Sequence, residues 1–308
     1  MKKFLIEVAV FLALVLGSFF IVFTLADGSS DPFYIRFTTS KQHSLILGTS
    51  RAAQGIQPAI LDELLPGKIF FNYSFTLSTS PYGPVYLNSI KKKLDQETRN
   101  GIFILSVDPW SISSNSKKSN DSTKFKERKQ FLGKTTFVNL CPNIPYLVNS
   151  YGKPYYTLIR KEKTSMFLHD DGWLEVTIWM DSSAIRKNID RKIDIYKQNN
   201  LPNFKFSEVR YDYLVRTITF LKQHGDVFMV RLPVHPKMME MDNQLVPDFS
   251  DKMNLISKST GTPYLDLTGL NDRMIYTDGN HLYRESSQII TRKIGKWIAG
   301  FYQDNPDL

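Results

Sequence analysis

The chain opens on an almost unbroken apolar run, Phe4 to Ala26, and then changes rhythm. About 20 apolar residues suffice to cross a bilayer as one helix, so a membrane anchor is predicted over residues 1–27. A short polar and aromatic linker, 28–43, leads into short apolar runs that alternate with runs of helical spacing. The runs "SLILGTS" (44–50), "KIFFNYSF" (68–75) and "GIFILSVDPW" (101–110) are bounded by small or turn-forming residues, as buried parallel strands are. Between them, "IQPAILDELL" (56–65) and "PVYLNSIKKKLDQ" (84–96) place apolar residues on one helical face. The rhythm breaks over about 111–205, read as an insertion or cap that holds one amphipathic helix, 182–198. It resumes with a helix over 206–225 stopped by Gly225, a strand at 226–234, a helix at 245–261, a strand at 263–268 and a last helix at 284–303. This alternation predicts an α/β domain over 44–308, a three-layer sandwich around a mostly parallel five-stranded sheet. Ligands of such sheets sit outside the carboxyl ends of the strands.

Composition changes this picture little: 42% hydrophobic and 22% charged is ordinary for a globular chain. The net charge of +9 points to anionic surroundings. Lys2 and Lys3 precede the apolar run, and Asp27 and Asp31 follow it, which predicts a cytoplasmic N-terminus with the domain on the far side of the membrane. A cleaved signal peptide, with Thr24-Leu25-Ala26 as its site, is the competing reading, although the apolar run exceeds the usual h-region. Either way the domain is exported, which argues against nucleic acid as a partner. The single cysteine, Cys141, forms no internal disulfide and reads as a buried small hydrophobe. Neither a metal cluster nor a cofactor motif is found. "LGTSRAAQG" is not G-x-G-x-x-G, and "HDDGW" (169–173) has no further ligands at metal spacing. The basic stretch 117–129 reads as a solvated surface loop, Trp173 and Trp179 as core residues or sugar-stacking platforms, and His235 as a loop residue or pocket wall.

Candidate chemistry centres on Ser50, at the carboxyl end of the first strand. A helix N-cap and a nucleophile both fit a hydroxyl there. A serine nucleophile needs a base, and the base an orienting partner. Asp278-Gly279-Asn280-His281, between the last strand and the last helix, presents an imidazole and a carboxylate on one short loop. Asp278 is placed to hold the Nδ1 side of His281 while Nε2 faces Ser50 across the strand ends. Arg51 reads either as a solvated helix cation or as a contact for an anionic substrate or an acyl carbonyl.

Gly48-Thr49-Ser50 after the first strand, together with Asp278-x-x-His281 before the last helix, resembles the SGNH (GDSL-type) hydrolase superfamily. Within it, "LGTSRAAQGIQP", "NYS" and "DGNHL" look most similar to membrane-anchored envelope proteins: polysaccharide O-acetyltransferases of the alginate type and D-alanyl-transfer proteins. The resemblance covers 44–300 apart from 111–205, and implies a flavodoxin-like sheet and a Ser50–His281–Asp278 triad. It further implies an oxyanion hole from the backbone N–H groups of Ser50 and Ser74 with Asn72 as a side-chain donor, acyl transfer at an ester of an envelope polysaccharide, and a multi-spanning acyl-transfer partner. Three departures stand beside it. Thr49 replaces the usual Asp, Asn72-Tyr73-Ser74 replaces Asn-x-Gly, and "SVDPW" supplies Ser106 and Asp108 where the pattern has Asn. The last leaves open a non-catalytic glycan-binding or assembly protein on the same scaffold.

Overall fold

The computed structural model describes residues 1–161 and 164–305. A long first helix, α1 (Lys2–Thr24), carries the apolar run and stands almost wholly exposed; it is long and apolar enough to cross a membrane. The sheet comprises β1 (Ser44–Leu47), β2 (Phe70–Asn72), β3 (Gly101–Ser106), β8 (Gly225–Arg231) and β9 (Tyr264–Asp266). Its order is β2-β1-β3-β8-β9 and every pairing is parallel. Helices α2 (Ser50–Gly55), α3 (Pro58–Leu64) and α12 (Arg284–Asp304) cover one face; α4 (Pro84–Lys93), α9 (Glu208–Leu221) and α11 (Phe249–Thr260) cover the other. The side-chain alternation of strands sorts the two cores. Leu45, Leu47, Phe71, Phe103, Leu105, Val227 and Met229 pack on the α4/α9/α11 side, and Ile46, Phe70, Ile102, Ile104, Phe228 and Val230 on the α2/α3/α12 side.

Between β3 and α9 lie β4 (Ser113–Ser114), α5 (Phe131–Lys134), α6 (Ile144–Asn149), α7 (Tyr156–Ile159), β5 (Met166–Leu168), β6 (Leu174–Val176), α8 (Ser182–Ile195) and β7 (Lys205–Phe206). Leu132, Val138, Tyr146, Leu147, Leu158, Leu168 and Leu174 of this segment join the α4/α9/α11 core. After β8 comes α10 (Pro236–Leu245), which periodicity did not single out. Local chemistry explains the helix starts. The Asp181 carboxylate accepts the N–H groups of Ser183 and Ala184 at the start of α8, and the Ser207 hydroxyl accepts that of Arg210 at the start of α9.

Several expectations change. The 28–43 segment is not a free linker. Tyr34, Ile35, Arg36 and Phe37 form a buried 3₁₀ turn, and the Gly28 carbonyl accepts the Leu168 N–H at 2.9 Å. Phe23, in the last turn of α1, is only 5% exposed and belongs to the domain core. Gly225 does not stop α9, which ends at Leu221, but opens β8 at φ +152°. A Cβ there would lie 2.0 Å from the Gly101 carbonyl oxygen, so the close start of β8 against β3 demands glycine. The 117–129 stretch is anchored through buried Phe125 and Glu127, Trp179 is 82% exposed rather than core, and Cys141 is exposed.

Among the described residues, one lysine is fully buried. Lys93 ends α4 and donates to the Thr39 carbonyl and hydroxyl, each at 2.7 Å, and to the Val138 carbonyl at 3.0 Å. Burial pushes its pKa down to about 7. In the unfolded chain the amine holds its proton to about pH 10.4, so from pH 7 upward the unfolded state binds more protons and stability rises with pH. Unfolding free energies from urea melts between pH 7 and 9, below tyrosine titration, are expected to climb by up to about 1.4 kcal/mol per pH unit. Lys93→Met flattens that slope; an unchanged slope excludes Lys93 as its source.

Candidate active site

β1 passes into α2 with two residues between them. Gly48 makes the turn at φ +150°, where a Cβ would meet those of Ser106 at 2.9 Å and Ala52 at 3.0 Å. Thr49 takes the N-cap position but gives no side-chain cap; its hydroxyl donates to the Asp108 carboxylate at 3.3 Å. Ser50 is the first helical residue, so its hydroxyl is not the cap. Its Oγ lies 2.8 Å from His281 Nε2 instead. In chain order the core strands run 2-1-3-4-5, and Ser50 leaves β1 where the connections reverse direction, at the sheet's topological switch point.

His281 Nδ1 lies 2.9 and 3.0 Å from the two Asp278 oxygens. Asp278 also accepts the backbone N–H groups of Asn280 and His281, both at 3.1 Å, so one carboxylate shapes the loop and aims the ring. Donation by Nδ1–H to Asp278 leaves the Nε2 lone pair for the Ser50 hydroxyl. Burial alone would raise the Asp278 pKa. The His281 imidazole, by charge and hydrogen bond, and the Lys192 ammonium outweigh it and hold the carboxyl well below the usual range. Lys192, on α8, stands 3.0 Å from Asp278 Oδ2. Lys192→Met is therefore expected to raise the Asp278 pKa, read by NMR titration of its side-chain carboxyl; a titration that does not move refutes that role.

A second chain of contacts holds the loop from below. Arg51 donates through Nε to Asn280 Oδ1 at 3.0 Å, and through Nη1 and Nη2 to both oxygens of Asp242 at 2.7 and 2.9 Å. With its oxygen fixed by Arg51, the Asn280 amide turns its nitrogen to His281 Nε2, 3.2 Å away. Trp110 Nε1 donates to Asp242 at 2.6 Å, and Arg231 approaches the same carboxylate at 3.9 Å. Arg51 is thus neither a solvated cation nor a substrate contact: it is buried, and Asn280 and Asp242 engage all three of its nitrogens. Burial lowers its pKa, but the Asp242 carboxylate more than restores it, so it stays charged.

The expected oxyanion donors fare differently. The Ser50 N–H has no acceptor among the described residues. Asn72 is buried, its amide nitrogen committed to the carbonyls of Ala52 and Ile56, both at 2.9 Å. Its side-chain oxygen accepts the Ser74 N–H at 3.2 Å. Asn72 therefore ties β2 to α2 and occupies Ser74, and neither donor points outward. Asp108 is buried beside Thr49 and Ser111, and burial raises its pKa despite the opposing pull of Arg51.

A cavity of about 520 Å³ opens onto Ser50 and His281. Phe33 and Phe75 wall it from the N-terminal side; Lys192, Tyr196 and Phe204 wall it from the 111–205 segment. The volume and mostly apolar wall suit a small organic ligand. No family model matches the chain, and no curated protein matches it in sequence. His235 lies elsewhere, accepting the Lys237 N–H at the start of α10. His169 is stacked on Trp173 and paired with Glu175 at 2.9 Å. Among the described residues, no three His, Cys, Asp or Glu side chains are grouped to hold a metal ion. Asn280, Asp242, Trp110 and Lys192 were missed in sequence. Asn280 had a signal, lying within the Asp-x-x-His motif; the others reach the site only through tertiary packing.

Proposed function

We propose that this chain is a membrane-anchored serine acyltransferase or esterase of SGNH type, acting on acyl esters of an envelope polysaccharide. The observation that carries the reading is the unbroken contact line from Ser50 Oγ through His281 to Asp278 at the mouth of a cavity. His281 takes the Ser50 proton as Oγ attacks the acyl carbonyl, and the tetrahedral oxyanion is met by the Ser50 N–H. The C–O bond to the donor breaks, and the leaving oxygen takes the proton from His281. A sugar hydroxyl or water then gives its proton to His281 and attacks the acyl-serine; the bond to Ser50 Oγ breaks, and Oγ takes the proton back from His281. Asp278 stabilises the imidazolium throughout. The charge bias around α1 supports a domain on the non-cytoplasmic side, where in this reading a multi-spanning partner supplies the acyl donor.

A second reading, a non-catalytic glycan-binding protein, draws on one observation: Asn72 and Ser74 are bonded to their own scaffold, so two expected oxyanion donors are not available. Labelling of the full chain in detergent with a fluorophosphonate probe separates the two. An adduct mapped to Ser50 by mass spectrometry, absent after heat denaturation, supports the acyl-transfer reading. Folded protein that takes up no probe sinks it in favour of binding.

A further inference from the structure

α1 does not hang from the domain; it is built into it. Tyr155, at the start of α7, sits edge-on against Phe23 and Phe19 of α1, with ring centres 5.1 and 6.3 Å apart. Behind this contact, Lys161 pairs with Asp27, and Lys153 donates to the Ser30 carbonyl at 2.8 Å. The direction of α1 therefore fixes the direction of the domain. At 1.5 Å per residue, α1 is about 35 Å long against a hydrocarbon core of about 30 Å. Phe19 and Phe23 fall in its last turns, so a helix that spans the bilayer sets Tyr155 at the boundary between hydrocarbon and headgroups.

What the protein presents at that level is unusual for a water-facing surface. Tyr156 is 60% exposed and Ile159 62%, three residues apart on one face of α7, while Leu158 points into the core. Arg160 and Lys161 follow directly, and both are exposed. Tyrosine rings favour the membrane–water interface, and basic side chains beside it gain from anionic headgroups. We infer that α7 is a membrane-contact surface, with Tyr156 and Ile159 inserted at the headgroup level of the leaflet from which α1 emerges and Arg160 against its anionic lipids. The inference rests on α1 spanning the bilayer. It gives the domain a fixed seat rather than a tether, and holds the cavity wall at Phe33, nine residues beyond the end of α1, close to the lipid surface.

The test uses the full chain with Cys141→Ser, which removes the only cysteine, in vesicles of phosphatidylcholine and phosphatidylglycerol. Single cysteines at Leu12→Cys, Tyr156→Cys, Ile159→Cys and the exposed Leu255→Cys each carry a bimane label. The Leu12 label reports α1 through quenching by nitroxides deep in the acyl chains. Labels at 156 and 159 are expected to be quenched at least about twofold more than that at 255 by headgroup nitroxides, as interfacial placement requires. Quenching at 12 with labels at 156 and 159 no different from 255 overturns the contact surface while sparing the span. No quenching at 12 removes the span, and the inference with it.

Discussion

Turnover of a soluble acetyl ester by the full chain is expected to fall on the order of 10⁴-fold or more in His281→Ala, and to a similar floor in Ser50→Ala. The two losses do not add, because the Ser50 hydroxyl and the His281 imidazole belong to one proton transfer. Asp278→Asn is the sharper variant. It keeps the shape of the loop but removes the acceptor that holds the proton on Nδ1, and an amide nitrogen facing Nδ1 favours the tautomer with Nε2 protonated. That tautomer cannot take the Ser50 proton, so a loss on the order of 10⁴-fold is expected with the fold intact. Stopped-time ester assays, with thermal melts of each variant alongside, check all three. Ester turnover that survives Ser50→Ala undiminished sends the chemistry elsewhere.

The largest stability effect is expected at Asp242. This carboxylate is fully buried on α10, accepts from both terminal nitrogens of Arg51 and from Trp110, and lies near Arg231. Asp242→Asn preserves the volume but leaves a buried guanidinium without its counter-charge. Breaking such a pair from one side costs about 3–5 kcal/mol, a fall in Tm on the order of 10 °C for a chain of this size. Replacing both partners, Arg51→Met with Asp242→Leu, recovers part of the loss, because an uncompensated charge is worse than none. A melt of Asp242→Asn within 2 °C or so of the parent would show that water or a shifted partner screens the pair. The same double variant frees the Asn280 amide to rotate, so its ester turnover stays low even where its stability returns.

Which parts of this were legible in the sequence follows from how local each signal is. Strands β1, β2 and β3 read correctly because both faces are buried, which makes short continuous apolar runs such as Leu45–Leu47 and Ile102–Leu105. The pairing of Ser50 with Asp278 and His281 was legible because parallel topology delivers every β-to-α loop to one sheet edge. Roles that depend on orientation were not. Arg51 looked outward from its place beside Ser50, yet a helix turn aims it at Asp242, 191 residues later. Asn72 carried the right side chain in the right block, but its amide was already claimed by Ala52 and Ile56. The 28–43 segment looked like a linker because Ser, Thr and Lys dilute its aromatic residues. The buried run Tyr34 to Phe37 within it shows aromatic residues completing a core from outside the β/α repeat.

Phe23 ties the fate of the domain to that of α1. Its ring fills the domain core from the last turn of a helix that otherwise faces outward. A protease that cut after Ala26 would release the domain without that ring, leaving a void of the kind that costs about 3–5 kcal/mol when a buried phenylalanine is truncated. Shedding and unfolding are thereby coupled: a domain clipped from its anchor becomes a better substrate for the next cut. If α1 is the anchor proposed above, it is a seal as well as an address, and a domain set free from it would be short-lived.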